Sequence, residues 1–283
     1  MADNDWVAFL QWALPRLHMR WAGFRKVRGQ VIKRLAARLQ QLDLPDPHAY
    51  RDFLEQQPTE WPVLDRMCRV TISRFYRDRQ MLVLLEQEVL PEIADRLSRT
   101  RKRRMRVWSA GCANGEEPYT VAIVWLLRLA SRFSSLDIDI LATDADAALL
   151  KRAAAASYPH SSIKNLPLAW RAGVFDKRGD TYDLRQRYRA PVRFLQHDIR
   201  SKPPAGPFHL ILCRNLVFTY FSPELQRRCL QDLHRVLAPD GYLIVSPREQ
   251  LPEPTTGFTA VSRRLGVYRR MEKGGSQRYA EYT

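Results

Sequence analysis

The segment 106–119 limits the possible folds of this chain more than any other stretch. Its sequence is RVWSAGCANGEEPY: an apolar strand pattern over 106–110 runs into a turn bounded by Gly111 and Gly115. A helix is predicted to begin at Glu116. The two glycines have no side chains, so a ligand can approach the backbone of the turn closely. Strand, glycine turn and helix are together the beginning of a nucleotide-binding α/β unit.

The acidic start of this helix indicates the kind of ligand. The glycine spacing differs from the dinucleotide pattern GxGxxG, and no G-K-S/T sequence is present for a P-loop. Glu116 and Glu117 would repel phosphate from the positive end of the helix dipole. A cationic adenosine derivative without phosphate fits better, and S-adenosylmethionine (SAM) is such a ligand. For this segment alone, a structural turn whose acidic residues favour the helix dipole is the competing interpretation.

Length and charge limit the class of protein. At 283 residues the chain is long enough for one large α/β domain and a smaller one. The formal charge of +16, from 46 Lys and Arg against 30 Asp and Glu, implies an anionic partner, which is nucleic acid, an anionic membrane or an acidic protein. Composition does not choose among these partners.

Other features of the sequence predict where the protein works. There is no apolar run of membrane-spanning length, and the acidic residues 1–5 stand where a signal peptide would be basic. The four cysteines are far apart and form no C-x-x-C motif, which indicates a reducing, cytoplasmic setting rather than a disulfide framework or a zinc site. We therefore predict no membrane insertion and no metal.

The N-terminal third is predicted to be helical, and we place a helical domain at 1–92 and an α/β domain at 93–283. Apolar residues recur at helical spacing from Trp6 to Leu17, Asp46 is a predicted helix cap, and an apolar helix is predicted over 81–89, before Pro91. The segments 257–261 and 265–269 are predicted to close the chain as an antiparallel pair. The segment 26–42 has an apolar side at helical spacing. Its other side is basic, through Arg25, Lys26, Arg28, Lys33, Arg34 and Arg38. This basic face is either a solvated helix surface or a docking surface for an acidic partner.

Acidic residues follow the next two predicted strands. The strand 137–143 ends in Asp144 and Asp146, about 30 residues beyond the glycine turn, where nucleotide-binding α/β folds hold the ribose diol. Capping the next helix is the alternative role, and we assign Asp144 to the ribose and Asp146 to the cap. A third strand is predicted to end at 197–199, where Asp198 either accepts the adenine amino group or simply ends the strand.

Several stretches together resemble the CheR-type chemotaxis receptor methyltransferases. They run in the family's order and cover nearly the whole chain; they are SRFYR (73–77), SAGCANGEEPY (109–119), ATDAD (142–146), CRN (213–215) with Tyr220-Phe221, and PDGYL (239–243). The resemblance implies a helical N-terminal domain on a Rossmann-like SAM-dependent methyltransferase sheet. It also implies a short inserted β-subdomain, which we place at about 172–195.

The resemblance further implies methyl transfer from SAM to a glutamate side chain of a chemoreceptor or related signalling protein, with S-adenosylhomocysteine as the product. A carboxylate is already ionised at neutral pH, so this reaction needs no general base. It needs alignment of the carboxylate oxygen, the methyl carbon and the sulfur. The partner it implies is an acidic protein substrate, such as a helical receptor cytoplasmic domain, and the enzyme is expected to be a cytoplasmic monomer.

Site residues are carried over from the family by position. Arg77, Arg214 and Tyr220 take catalytic roles, since arginine can grip a carboxylate through two parallel hydrogen bonds. The cofactor-binding set is Ser73, Arg77, Gly111, Glu116, Glu117, Asp144, Asp198, Ile199, Arg214 and Asn215. The chain departs from the family pattern at Ser73 and Tyr76, in one extra residue between Asn215 and Tyr220, and at Ser246-Pro247, which replaces a glycine.

Two other functions stay open at this stage. The charge of +16 suggests a nucleic-acid methyltransferase, although the sequence has neither an N/D-P-P-Y/F tetrapeptide nor a catalytic Cys-Pro pair. A non-catalytic SAM-binding signalling module that docks through its basic helical face is the third hypothesis.

Overall fold

A computed structural model describes residues 3–71, 73–100, 103–255 and 257–271. The chain divides into two compact units. The first contains the residues up to Thr71 together with Thr219–Gln226, and the second contains the rest. Within the described ranges, no helix combines the length and the apolar character needed to cross a membrane.

The first unit is helical, as the sequence predicted. Up to Thr71 its α-helices are α1 (Asp3–Arg16), α2 (Trp21–Phe24), α3 (Arg28–Gln41), α4 (Pro47–Gln56) and α5 (Trp61–Met67). Apolar residues predicted at helical spacing are buried in it: Trp6, Phe9, Leu10, Leu14, Val31, Leu35 and Leu39. The predicted cap of α4 is confirmed, since Asp46 Oδ1 accepts the Ala49 N–H at 2.9 Å.

Three of the six residues of the predicted basic face form ion pairs or hydrogen bonds within the first unit. Arg28 pairs with Asp3 at 2.9 Å, and Arg38 pairs with the buried Glu60 at 2.8 Å. Arg34 donates to the Met67 carbonyl at 2.8 Å. These three cations therefore stabilise the helical packing, and a docking role for the whole face stays a prediction.

The segment Thr219–Gln226 is held by residues 18–24 of the same unit. The Arg20 N–H donates to the Tyr220 carbonyl at 2.8 Å. The rings of Phe24 and Tyr220 lie with their centroids 5.0 Å apart. Backbone and ring contacts thus fix this short segment on the N-terminal helices.

We expect Gly23→Ala to lower the free energy of unfolding by about 1–3 kcal/mol. A Cβ at this position would lie 2.2 Å from the Thr219 carbonyl oxygen, a backbone atom that cannot move aside alone. Gly29→Ala in α3 is the control, because nothing lies within 4 Å of its Cβ position. It should raise stability by about 0.5–1 kcal/mol. Chemical denaturation followed by circular dichroism measures both, and similar shifts in the two variants would contradict the steric argument.

The second unit is built on a seven-stranded sheet in the order β6-β2-β1-β7-β8-β10-β9. The strands of this unit are β1 (Arg104–Ala110), β2 (Asp137–Asp144), β3 (Ser157–Pro159), β4 (Phe175–Arg178), β5 (Thr181–Leu184), β6 (Val192–Gln196), β7 (Phe208–Leu212), β8 (Leu237–Ile244), β9 (Phe258–Ser262) and β10 (Val267–Arg270). The first five strands of this order, from β6 through β2, β1 and β7 to β8, pair in parallel with their neighbours. β10 and β9 close the sheet as the predicted antiparallel pair.

The strand order reverses at β1, which is the switch point of a doubly wound sheet. From β1 the chain adds β2 and β6 on one side and then β7 and β8 on the other. Buried apolar side chains on the strands and on the helices packed against them form the core, with Trp108 and Trp125 among the largest. The predicted Rossmann-like α/β fold is confirmed.

Of the remaining helices, α6 and α7 precede β1 and the others follow it. They are α6 (Arg79–Leu84), α7 (Leu90–Ser98), α8 (Glu116–Val124), α9 (Ala147–Ala155), α10 (His160–Ile163), α11 (Leu168–Val174), α12 (Gln186–Arg189), α13 (Val217–Tyr220) and α14 (Pro223–Val236). A π-helical turn, Leu85–Val89, joins α6 to α7. The boundary predicted at residue 92 falls within α7, and the division into domains at 1–92 and 93–283 stays a prediction.

A small antiparallel sheet of order β3-β5-β4 is inserted between β2 and β6. The predicted β-insert includes β4 and β5 but not β3, which is three residues long and too short to give a periodic pattern. Val192–Gln196, at the end of the predicted interval 172–195, pairs with β2 in the main sheet.

Candidate functional site

Residues that the sequence predicted for the site lie at the carboxyl ends of four parallel strands. Gly111 follows β1 directly and Asp144 ends β2, while Asp198 and Arg214 each come two residues after β6 and β7. Ligands of open α/β sheets bind at this edge, beside the switch point. β1 and β7 are paired there, with Ser109 opposite Leu212.

The glycine turn uses its N–H groups internally. Gly111 adopts a φ of +76°, which a glycine tolerates and other residues rarely adopt. The N–H groups of Gly111 and Cys112 donate to the Thr143 carbonyl at 2.8 and 2.9 Å. The Ala113 N–H donates to Asp144 Oδ2 at 2.9 Å. These groups are therefore not available to cradle a phosphate, in contrast with a P-loop.

Asp144 and Asp146 have separate roles, and the helix cap predicted for Asp146 is confirmed. Asp146 caps α9, accepting the Ala148 N–H at 2.8 Å. Asp144 Oδ1 accepts the Asp146 N–H at 3.0 Å, so each oxygen of Asp144 is oriented by one backbone donor. A carboxylate oxygen has further lone-pair capacity, which leaves Asp144 able to accept from a diol. Its role in ribose binding stays a prediction.

Arg214 lies between two carboxylates. Its side chain is only 5% exposed, and its Nη1 donates to Glu117 Oε2 at 2.9 Å. Its Nη2 donates to the Asp78 carboxylate. On the other side, Glu117 Oε1 accepts from Ser109 Oγ at 2.8 Å. The guanidinium thereby fixes the rotamer of Glu117 beside the end of β1.

Arg77 is the more accessible of the two predicted arginines. Its side chain is 36% exposed, and its Nε lies 4.0 Å from Asp78 Oδ2. Its Nη2 makes a long hydrogen bond of 3.4 Å to Asn215 Oδ1. Because its side chain is more exposed than that of Arg214, Arg77 is better placed to meet an incoming carboxylate.

The structure distinguishes the two glutamates at the start of α8, which the sequence placed together in the cofactor-binding set. Glu116 is 1% exposed. Burial raises the pKa of its carboxyl group above the ordinary value of 4.5, and hydrogen bonds from Ser73 and Ser162 oppose this. Its Oε2 is buried without a partner among the described residues. Glu117, by contrast, is oriented by two partners.

We expect Glu116→Gln to raise the free energy of unfolding at neutral pH, because it removes a buried charge. Because the pKa of Glu116 is raised in the folded state, the stability of the wild type falls as pH rises from about 4.5 through that higher pKa. The gain of the variant should therefore disappear as pH falls below 4.5. Denaturant unfolding at a series of pH values across this range measures the stability gain of the variant. Glu55→Gln, at a side chain 53% exposed, should change little at any pH, and a parallel response of the two variants would contradict the burial argument.

Two further predicted contacts lie at the edge of the sheet, and a third belongs to the first unit. Asp198 forms an ion pair with Arg200 at 2.6 Å, and Ile199 is largely buried. Tyr220 belongs to the first unit. The roles predicted for these residues stay predictions.

The four cysteines are free and buried. Burial raises the pKa of Cys68 and of Cys229 to about 12. Burial also raises the pKa of Cys112 and of Cys213 well above the ordinary thiol value of 9.0. Since the thiolate is the nucleophile, these protonated thiols are poorly suited to nucleophilic catalysis.

Half of the eight non-glycine residues with positive φ in the described part of the chain lie around the site. Four non-glycine residues there have φ in the left-handed region: Tyr76 at +56°, Asp78 at +60°, Ala113 at +49° and Asn215 at +52°. Such conformations cost free energy and persist where the surroundings hold them, which is common at functional sites.

Two contact residues were missed by sequence reasoning. Asp78 directly follows the SRFYR stretch, and Ser109 is a polar residue within an apolar strand. Either position could have been noted as unusual. Their partners, Arg214 and Glu117, become apparent only in the folded chain.

The charges at this edge fit a cationic ligand. Although the whole chain carries +16, the edge presents four carboxylates, those of Asp78, Glu117, Asp144 and Asp198, against the three cations of Arg77, Arg200 and Arg214. Carboxylates favour a ligand with ammonium and sulfonium groups, and the turn offers phosphate few free N–H groups. Fold and site together define a class of α/β proteins that bind a cationic nucleoside, as SAM-dependent enzymes do.

Comparison with known proteins gives the family. The family described as "CheR methyltransferase, SAM binding domain" matches residues 71–267. The chain belongs to the CheR methyltransferase family, and its cofactor is SAM.

Relatives from several bacteria align over most of the chain. A chemotaxis protein methyltransferase of Listeria monocytogenes is 36% identical over 208 residues, covering 72% of this chain and 76% of that protein. That of Escherichia coli K12 is 30% identical over 240 residues, covering 82% and 80%. An uncharacterized 104.1 kDa protein of Rhodobacter capsulatus is 30% identical over 88% of this chain, which spans only 26% of that protein's length.

Proposed function

We propose that this protein transfers the methyl group of SAM to glutamate side chains of a chemoreceptor or related signalling protein. The main support is the similarity to chemotaxis protein methyltransferases at 36% and 30% identity over most of the chain. The carboxylate-rich edge of the sheet supports the same assignment, because its charge suits SAM.

The residues proposed to hold the cofactor lie along the carboxyl edge. Gly111 forms the turn after β1 with its φ of +76°, and Glu117 faces the methionyl ammonium. Asp144 accepts from the ribose diol, while Asp198 and Ile199 border the adenine. When bound, SAM supplies a methyl group on a positively charged sulfur, which leaves as a neutral thioether.

The acceptor carboxylate requires positioning rather than proton removal. It is ionised at neutral pH, so no side chain has to act as a base. The reaction joins a negative oxygen to a positively charged donor, and both charges disappear. A site that excludes water favours such a change, because water stabilises the separated charges more than the transition state. Arg77 is the side chain we assign to orienting the carboxylate.

The substrate we propose is acidic and helical. The charge of +16 attracts an acidic partner and speeds its association. The basic residues of the first unit that are not engaged in the contacts described above, such as Lys26 and Lys33, are available for such docking. We further propose a cytoplasmic monomer, consistent with the four free thiols.

A test uses radiolabelled methyl groups. The protein is incubated with methyl-labelled SAM and candidate acidic helical receptor fragments, and the labelled product is treated with mild base. We expect volatile methanol to be released, since this marks a carboxyl methyl ester. Base-stable label on added DNA or RNA would contradict the proposal and favour nucleic-acid methylation, whose binding should fall steeply with salt. SAM binding without transfer to any candidate would favour a non-catalytic module.

A further inference from the structure

Glu249 is a buried carboxylate outside the predicted site residues. It is 3% exposed and lies five residues beyond the end of β8. Its Oε2 accepts the N–H groups of Asn215 and Ser246, each at 2.8 Å. Its Oε1 accepts the Leu216 N–H at 3.2 Å. A carboxylate in such a place is tolerated because backbone donors compensate its burial.

These bonds join two loops that leave the sheet side by side. β7 and β8 are parallel neighbours, with Leu212 opposite Ile244. The Glu249 N–H returns to the Ser246 carbonyl at 2.8 Å and closes its own turn. The carboxylate then reaches across to the loop after β7, so one side chain sets the spacing of both loops.

The segment that Glu249 holds touches the site on two sides. Asn215 Oδ1 accepts from Arg77 at 3.4 Å. The side chain of Leu216 lies against Gly111, where a Cβ would be 2.5 Å from Leu216 Cδ2. The same segment begins directly after Arg214, whose guanidinium holds Glu117.

The backbone of this segment needs external support. Asn215 has a φ of +52°, in the left-handed region that residues other than glycine rarely adopt. Such a conformation persists only when several contacts hold it. The N–H bond from Asn215 to Glu249 is one such contact, and the adjacent N–H of Leu216 supplies a second.

We propose that Glu249 is a positioning residue of the cofactor site. It acts through the backbone of Asn215 and Leu216, and thereby sets Arg214, Arg77 and the glycine turn against one another. This inference rests on the proposed function only in placing the cofactor at this edge of the sheet, and it does not depend on which protein accepts the methyl group.

The test compares Glu249→Gln with two other variants by calorimetric titration with S-adenosylhomocysteine, at a temperature where each is fully folded. Glutamine keeps one acceptor oxygen, but its NH₂ group would face backbone N–H groups, and two donors cannot form a hydrogen bond with each other. We expect Glu249→Gln to weaken binding by about tenfold or more. Glu249→Asp, which keeps the carboxylate on a shorter side chain, should lose less affinity.

Glu60→Gln is the matched control. Glu60 is also buried, at 5% exposure, and it is bonded to Arg38 at 2.8 Å and to Tyr50 at 2.9 Å. We expect this variant to lower the unfolding temperature while leaving the dissociation constant for S-adenosylhomocysteine unchanged. It thereby separates loss of stability from loss of site geometry.

A dissociation constant within twofold of wild type for Glu249→Gln, together with a lowered unfolding temperature, would overturn the proposal and leave Glu249 a purely structural residue. If Glu249→Gln does not fold, Glu249→Asp decides: its shorter side chain cannot keep all three backbone bonds, so we expect binding weakened more than twofold. Binding within twofold of wild type would overturn the proposal equally. If the wild type binds S-adenosylhomocysteine but methylates no glutamate, the assigned substrate fails while the role of Glu249 is still tested by binding.

Discussion

Arg214→Ala is expected to lower the free energy of unfolding by about 3 kcal/mol and to reduce methyl transfer below detection. The change leaves Glu117 and Asp78 without the cation between them, and breaking a buried pair typically costs about 3–5 kcal/mol. We expect the lower end of that range because Asp78 is 32% exposed and water can reach it. Arg214→Lys should recover part of the stability but little turnover, since an ammonium cannot fork to two carboxylates.

Denaturant unfolding and a radiolabelled-methyl assay measure the two effects of this change. Arg193→Ala is the control, because Arg193 pairs with Asp139 at 3.1 Å but its side chain is 65% exposed. Exposed pairs contribute about 0–1 kcal/mol, and Arg193 lies away from the proposed site residues. If Arg214→Ala unfolds no more easily than Arg193→Ala and retains turnover, Arg214 has no role in the site.

Asp144→Asn is expected to weaken the binding of S-adenosylhomocysteine by about 10- to 100-fold, since hydrogen bonds to a charged group contribute about 1.5–3 kcal/mol. The amide would also turn a donor toward the N–H of Ala113 or of Asp146, which the carboxylate now accepts at 2.9 and 3.0 Å. The ribose hydroxyls and the turn would lose their common acceptor. Calorimetric titration measures the effect.

Asp146→Asn is the matched control for this prediction. Asparagine caps a helix about as well as aspartate, so α9 should keep its bond to the Ala148 N–H. Binding should be unchanged in this variant. Equal losses at positions 144 and 146 would indicate that the ribose is held elsewhere and that both substitutions act only through the turn.

Local chemistry explains which elements could be predicted from the sequence. The strand, glycine turn and helix of 106–119 appear as β1, the turn and α8, because a strand period and two glycines act over neighbouring residues. The caps at Asp46 and Asp146 are confirmed for the same reason. A side chain that bonds a backbone group two or three residues away needs no tertiary information.

Elements without a local signal were missed or misplaced. β3 is three residues long and pairs with β5, so only its partner defines it as a strand. The sequence of Val192–Gln196 fits a short strand of either sheet. Its pairing with β2 places it in the seven-stranded sheet. The predicted helix before Pro91 continues to Ser98, because the π-helical turn Leu85–Val89 precedes the proline.

The sequence by itself determined the fold class, the family, the cofactor and the residues at the strand ends, because each depends on motifs a few residues long. Tertiary structure alone decided how those residues interact. Asp78, Glu117 and Arg214 are far apart in the chain, and their ion pairs exist only where α6, α8 and the loop after β7 meet. Glu249 likewise acts on backbone donors at Asn215 and Leu216. Charge and hydrogen bonding act over a few ångströms, so the partners of buried groups follow from the packing of distant segments.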